Sequence, residues 1–273
     1  MRFDKGKLII YWDYELQRGP DTSNLHIKKS GIDDYRQTNF ILDFLKKTEI
    51  KCCFVVLGMS AEKGNLPYHA PDQIRKMAEL GHEVGSHTYD HKRLSNISYD
   101  SLLKDLIVSK RLIEKASRTP CVSFVPPWDK PQYLFSLSLR GIDLKNRFRG
   151  ISLSKLSYSD FCSALKKAGY QTYRICPFGV INKIKLSKPV FYNEVLCVPS
   201  IINNGFTEKH KLLVKKAIRN KGLAVVYGHP LGLKENGPQN KRHFVDFIKY
   251  VTKQVKNKKL DVIVPFDLVK YEH

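Results

Sequence analysis

The sequence has no CxxC pair. Its six cysteines, at 52, 53, 121, 162, 176 and 197, fall mostly in apolar, strand-like runs. They read as reduced core residues, neither disulfides nor zinc ligands. No apolar run approaches the length of a transmembrane helix. The N-terminal MRFDKGKLIIYWDYE does not read as a signal peptide, because its apolar run is short and Asp13 and Glu15 follow at once. The expected location is the cytoplasm, extending to the inner membrane face. The metalloprotease motif HExxH is missing too: His82-Glu83 is followed by His87 at i+5. Acidic residues are scarce, 26 Asp plus Glu against 47 Lys plus Arg, which leaves a net charge of +21. Such an excess favours an anionic partner: acidic glycan, anionic lipid or nucleic acid. The basic residues are spread along the chain, as in KKAIRNK at 215–221 and KNKK at 256–259. With no nucleic-acid recognition motif and no localised patch, nucleic acid is the weakest of the three. Linkers, internal repeats and low-complexity tracts are absent, so one domain over residues 1–273 is expected.

What is present alternates between strand and helix. Hydrophobic residues make up 42% of the chain, enough for a core. Leu8 to Trp12 reads as a buried first strand, followed after a long loop by a helix over 33–47 and a second strand from Cys52 to Leu57. Pro71 opens a helix that Gly81 caps. The strand Glu83-Val84-Gly85-Ser86 follows, then a helix starting within 96–100, a strand from Val122 to Val125, and a short strand at 149–152. A helix over 159–168 and strands over 170–176 and 194–201 come next. Thr207 is a candidate N-cap for a helix to Asn220. A strand from Leu223 to Tyr227, a helix over 240–255 and a last strand over 260–264 complete the pattern. The alternation predicts a single α/β domain, a parallel β/α barrel.

In such a barrel the chemistry lies at the C-terminal ends of the strands, and four of those ends carry functional groups. Asp13 and Glu15 are two apart and face the same way on an extended backbone. His87 and His91 are four apart. If the chain enters a helical turn there, both imidazoles share a face and can converge on a divalent cation. Pro126-Pro127-Trp128-Asp129 closes another strand, and His229-Pro230 a fourth. The remaining histidines, 26, 69, 210, 243 and 273, form no pattern and read as surface residues.

With these segments aligned, the chain resembles the polysaccharide deacetylase family, the NodB-homology domain of carbohydrate esterase family 4. GHEVGSHTYDH carries the resemblance most specifically, with His87-Thr88-Tyr89-Asp90-His91 matching H-[ST]-x-x-H. Phe124-Val125-Pro126-Pro127-Trp128 matches the pocket motif and His229 the last-strand motif. Asp13-Tyr14-Glu15 is similar to the D-x-E form of cytosolic-type members, and the P-P-W form is similar to bacterial envelope-glycan members. The resemblance implies a distorted (β/α)7-type barrel with parallel strands and a metal-dependent deacetylase. That enzyme would remove an N-acetyl or similar acyl group from a sugar in bacterial surface-polysaccharide biosynthesis (lipopolysaccharide or capsule). It further implies a divalent metal, zinc first, with Co²⁺, Ni²⁺ or Mn²⁺ as substitutes, on Glu15, His87 and His91. Asp13 is then the base and His229 the acid, although Asp13 and Glu15 can exchange roles. Trp128, Asp129, Lys130 and Tyr14 are the expected substrate contacts. The implied partner is an acetylated sugar or glycan, anionic or at an anionic membrane. One departure stands out: the family's arginine ahead of the proline pair, which orients the base, is Val125 here. Two other classes fit the same residues. One is a metal-dependent amide or ester hydrolase on a non-sugar substrate. The other is a non-catalytic glycan-binding protein on a deacetylase scaffold.

Overall fold

A computed structural model describes residues 3–16, 27–129, 142–143, 152–153, 156–176 and 188–272. Its strands are β1 (Gly6–Tyr14), β2 (Cys53–Val56), β3 (Glu83–Ser86), β4 (Ser123–Phe124), β5 (Ile142–Asp143), β6 (Ser152–Leu153), β7 (Thr172–Ile175), β8 (Val190–Tyr192), β9 (Val195–Pro199), β10 (Leu223–Gly228) and β11 (Leu260–Val262). The helices are α1 (Ile27–Thr48), α2 (Pro71–Glu79), α3 (Tyr99–Ser117), α4 (Tyr158–Lys167), α5 (Glu208–Asn220), α6 (Lys241–Lys256) and α7 (Pro265–Val269).

One nine-stranded sheet runs β10-β1-β2-β3-β4-β7-β9-β8, with β11 also paired to β1. Every pairing in it is parallel except β8 with β9. The sheet curls into a distorted, open (β/α)-type barrel, the class expected. Of the short strand expected over 149–152, only Ser152, in β6, lies among the described residues. Two features were not foreseen: the antiparallel edge strand β8 and β5, which pairs with β6. Each is only two or three residues long, too short for a period-2 pattern to register.

Side-chain alternation along β1 sorts the core into two layers. Leu8, Ile10, Trp12 and Tyr14 face the helices, where Trp12 packs against Phe206 and Phe244 with ring centroids 5.1 and 5.2 Å apart. Ile9 and Tyr11 face the barrel interior with Cys53, Val55, Val125, Val225 and Tyr227. Asp13 continues the interior-facing set, so β1 points a carboxylate inward just where the strand ends. The same alternation puts Tyr173 and Ile175 of β7 among the helices and leaves Arg174 inside. β3 owes its place to Gly85, where a Cβ would come within 2.8 Å of the Ser123 carbonyl oxygen. That contact lets β4 lie close beside it. The cysteines are free and, Cys176 apart, buried, as expected. His210 is not a surface residue: it is 4% exposed and receives the Thr207 N–H at the start of α5.

Candidate active site

The rim gathers groups from β1, β3, β4, β7 and β10. His87 and His91 do not lie on a helical turn, contrary to the expectation from their spacing. They sit in a loop whose Thr88 and His91 adopt φ of 71° and 62°. This left-handed backbone is uncommon away from glycine. It is braced by the Thr88 hydroxyl, which accepts the His91 N–H at 3.1 Å. The outcome is still convergence. His87 Nε2 lies 3.4 Å and His91 Nε2 3.1 Å from Glu15 Oε1. Among the described residues, Glu15, His87 and His91 form a group whose ligand atoms all lie within 4.8 Å of one another.

The donor chemistry fits a cation. His87 Nδ1 is 2.8 Å from the Val125 carbonyl, so Nδ1 carries the proton and Nε2 turns a lone pair toward Glu15. Two acceptors then face each other, an arrangement that needs positive charge between them. A buried Glu-His-His set of this kind suits zinc or a similar divalent ion. Burial pushes the Glu15 carboxyl up, but the charge of the His229 imidazole opposes it, and the carboxyl lies well below the usual carboxylate range.

Asp13 lies beside this group, 4% exposed. Arg174 donates to both of its oxygens, at 2.8 and 2.6 Å. The same guanidinium donates to Asp129 Oδ1 at 3.0 Å, and the Tyr227 hydroxyl donates to Asp129 Oδ2 at 2.9 Å. Burial alone would raise the Asp13 carboxyl, but the Arg174 guanidinium outweighs it and holds the carboxyl below its ordinary value. Arg174 is itself buried, with Tyr227 4.2 Å and Tyr11 5.1 Å from its guanidinium carbon. It supplies from β7 the contact that Val125 cannot. The sequence signal for it was a lone arginine inside an apolar strand, TYRIC.

His229 closes the opposite side. Its Nε2 is 3.6 Å from Glu15 and 3.9 Å from Asp13. Gln239 Oε1 accepts the His229 backbone N–H at 2.6 Å and lies 3.2 Å from Nδ1. Burial lowers the imidazole pKa, but the Glu15 and Asp13 carboxylates raise it beyond that, to above its ordinary value.

The expected substrate contacts separate. Trp128 is half-buried at the rim, edge-on to His91 at 4.2 Å, with Arg93 5.2 Å above its ring. Asp129 lines the same cavity of about 210 Å³, although both its oxygens are engaged by Arg174 and Tyr227. Tyr14 is not at the site. It is fully buried among the helices, its hydroxyl donating to Gln73 Oε1 at 2.5 Å, because it is the outward residue between two inward ones. Lys130 lies outside the described residues. A second cavity, of about 230 Å³, opens on the far side of His229 toward Asp34 and Gln239. Asp34 was not foreseen. Burial, reinforced by Glu15, raises its carboxyl to about 8, and the Leu16 N–H donates to it at 2.7 Å.

Fold and rim together define a parallel α/β half-barrel with a two-histidine, one-carboxylate cluster at the strand ends. The pattern of the polysaccharide deacetylase family matches residues 32–132. It is 29% identical over 100 residues to a peptidoglycan-N-acetylglucosamine deacetylase of Bacillus cereus, covering 37% of this chain and 32% of that protein. It is 36% identical over 97 residues to a chitin deacetylase of Colletotrichum lindemuthianum, covering 34% and 36%. The match thus spans about a third of the length of either relative. In three dimensions the chain is similar to a crystal structure titled putative polysaccharide deacetylase from Mycobacterium smegmatis. The TM-score is 0.70 at 14% identity, over 98% of this chain and 90% of that one, a likeness of fold.

Proposed function

We propose that the protein is a metal-dependent deacetylase that removes an N-acetyl group from a sugar during bacterial surface-polysaccharide biosynthesis. The observation that carries this reading is the convergence of His87 and His91 on Glu15, with Asp13 and His229 on either side. Glu15, His87 and His91 would hold the cation, zinc in our reading, which supplies Lewis acidity to the acyl oxygen and to the attacking water. Asp13 is kept ionised and aimed by Arg174, and it takes the proton of the water whose oxygen bonds to the acyl carbon. The C–N bond then breaks. His229, anchored through Gln239 so that Nε2 faces the reacting atoms, delivers a proton to the departing nitrogen. An unprotonated amide nitrogen would be too basic to leave. Acetate and an amino sugar are the products. Trp128 offers an aromatic face to the sugar. We place the reaction in the cytoplasm beside the inner membrane face, where the +21 charge would favour an anionic glycan or lipid surface. Among the described residues no helix is long and apolar enough to cross a membrane.

The test is acetate release from N-acetylated oligosaccharides by the zinc-loaded protein. His229→Ala should bind metal and substrate nearly as wild type does and turn over about 10²–10⁴-fold more slowly, the usual effect of one acid–base group. Turnover within a few-fold of wild type removes His229 from the reaction. A wild type silent on every acetylated glycan rejects the deacetylase reading.

A further inference from the structure

A third cavity lies away from the rim. It lies at the start of β10, beside the end of α5, and measures about 580 Å³, inside the roughly 300–1,000 Å³ typical of ligand pockets. Phe3, Ile201, Leu213 and Leu223 give it an apolar lining. Leu223 starts β10 and His229 follows its end, about 20 Å away at the rise of a strand. The cavity is therefore separate from the catalytic rim.

Three exposed lysines, Lys188, Lys216 and Lys221, also line it. None has a carboxylate partner among the described residues, whereas Lys211 on the same α5 pairs with Glu208 and Lys5 and Lys7 both pair with Asp261. The apolar character continues onto the surface. Leu212 is 58% exposed next to Leu213, and Val190 is 41% exposed next to Pro189. Tyr271, 43% exposed, packs edge-on against Phe3 at 5.4 Å. Three unpaired cations around a hydrocarbon-lined hole ask for one occupant that is anionic at one end and apolar at the other. Nucleic acid or a soluble acidic glycan would satisfy the lysines and leave the lining unfilled.

We propose that this cavity docks the chain on an anionic membrane. One acyl chain of an anionic lipid enters between Phe3, Leu213 and Leu223, and its headgroup meets Lys188, Lys216 and Lys221. The inference rests on the membrane part of the functional reading and is independent of the deacetylase part.

The experiment is sedimentation of the full chain with phosphatidylcholine vesicles, with and without phosphatidylglycerol. The triple variant Lys188→Gln, Lys216→Gln, Lys221→Gln is compared with a control of equal charge loss, Lys253→Gln, Lys256→Gln, Lys259→Gln. Wild type should bind only the phosphatidylglycerol vesicles. The cavity triple should lose about 10²-fold, near fivefold per lysine at an anionic surface, and the control only a few-fold. Leu213→Asn, with every lysine in place and a native circular dichroism spectrum, should also weaken binding. Equal losses in the two triples, or no effect of Leu213→Asn, overturn the cavity and leave membrane association to diffuse charge. Absence of wild-type binding to any vesicle overturns both. Acetate release, measured separately, reports on the deacetylase reading alone.

Discussion

Arg174 holds two buried carboxylates at once, and the consequences of removing it follow from that. Arg174→Ala would leave Asp13 and Asp129 facing each other without a cation, and stranding a buried charge costs about 3–5 kcal/mol. The expected result is a marked fall in Tm and loss of most activity near neutral pH, where Asp13 would no longer stay ionised. Arg174→Lys, with one point charge in place of a two-pronged donor, should recover more stability than activity. Parallel thermal melts and acetate assays would show this, and equal recovery of both would make the residue merely structural. The two first-strand carboxylates are separable in the same way. Asp13→Asn should keep bound metal and lose turnover, while Glu15→Gln should lose both, because only Glu15 touches His87 and His91. Metal analysis giving the opposite pattern would exchange their roles. Asp13, Glu15 and His229 could be picked out from the sequence because each stands at the end of an apolar strand. Arg174 showed only as a lone arginine in an apolar strand, because its partner Asp13 is 161 positions away and only the curl of the sheet brings them together. Tyr14 was misplaced for a simpler reason: strand alternation that aims 13 and 15 inward must aim 14 outward.

At the scale of elements, the strand β3 is tied at both ends, and its two ends were not equally readable. Its C-terminal end leads to the His87–His91 loop, visible as a spacing but formed by positive-φ residues that no periodicity reports. At its N-terminal end Glu83 accepts the Ser123 hydroxyl and, at 3.0 Å, the Phe266 N–H of α7. This link ties β3 to the start of the last α-helix, 183 residues later, and the sequence gives no sign of it. Burial raises the Glu83 carboxyl to about 7, against the pull of the Ser123 and Phe266 hydrogen bonds. The unfolded chain releases that proton near its ordinary value of about 4.3. Stability from this group is therefore full below about pH 4 and is lost as pH rises through about 7. The loss is about 2–3 kcal/mol, allowing for partial solvent contact. Thermal melts between pH 5 and pH 8 should show Tm declining through that window in wild type. In Glu83→Gln, which keeps the shape and removes the titration, the decline should flatten. An identical slope in both proteins would assign it to other groups.

For the whole molecule, the parallel barrel was legible because alternation of strand and helix survives errors of several residues at each boundary. The order of strands around it was not, since β1 meets β10, β11 and β2 through contacts between segments far apart in the chain. Such long-range contacts are also where a metal would act on the fold. Glu15 follows the first strand, and His87 and His91 follow the third. A cation held by all three would join segments more than 70 residues apart while finding no comparable site in the unfolded chain. Binding to the native state alone stabilises by RT ln(1 + [L]/Kd), about 2.7 kcal/mol at one hundred times Kd. For a domain of this size that corresponds to a rise in Tm of about 5–10 °C. Zinc added to chelator-treated protein should raise Tm by that amount, and a chelator should reverse it. In His91→Ala the rise should largely vanish, since two donors remain where three converged. A calorimetric scan decides the matter without reference to any substrate. If wild type and His91→Ala gain the same few degrees, zinc is binding elsewhere and the cluster is not the metal centre.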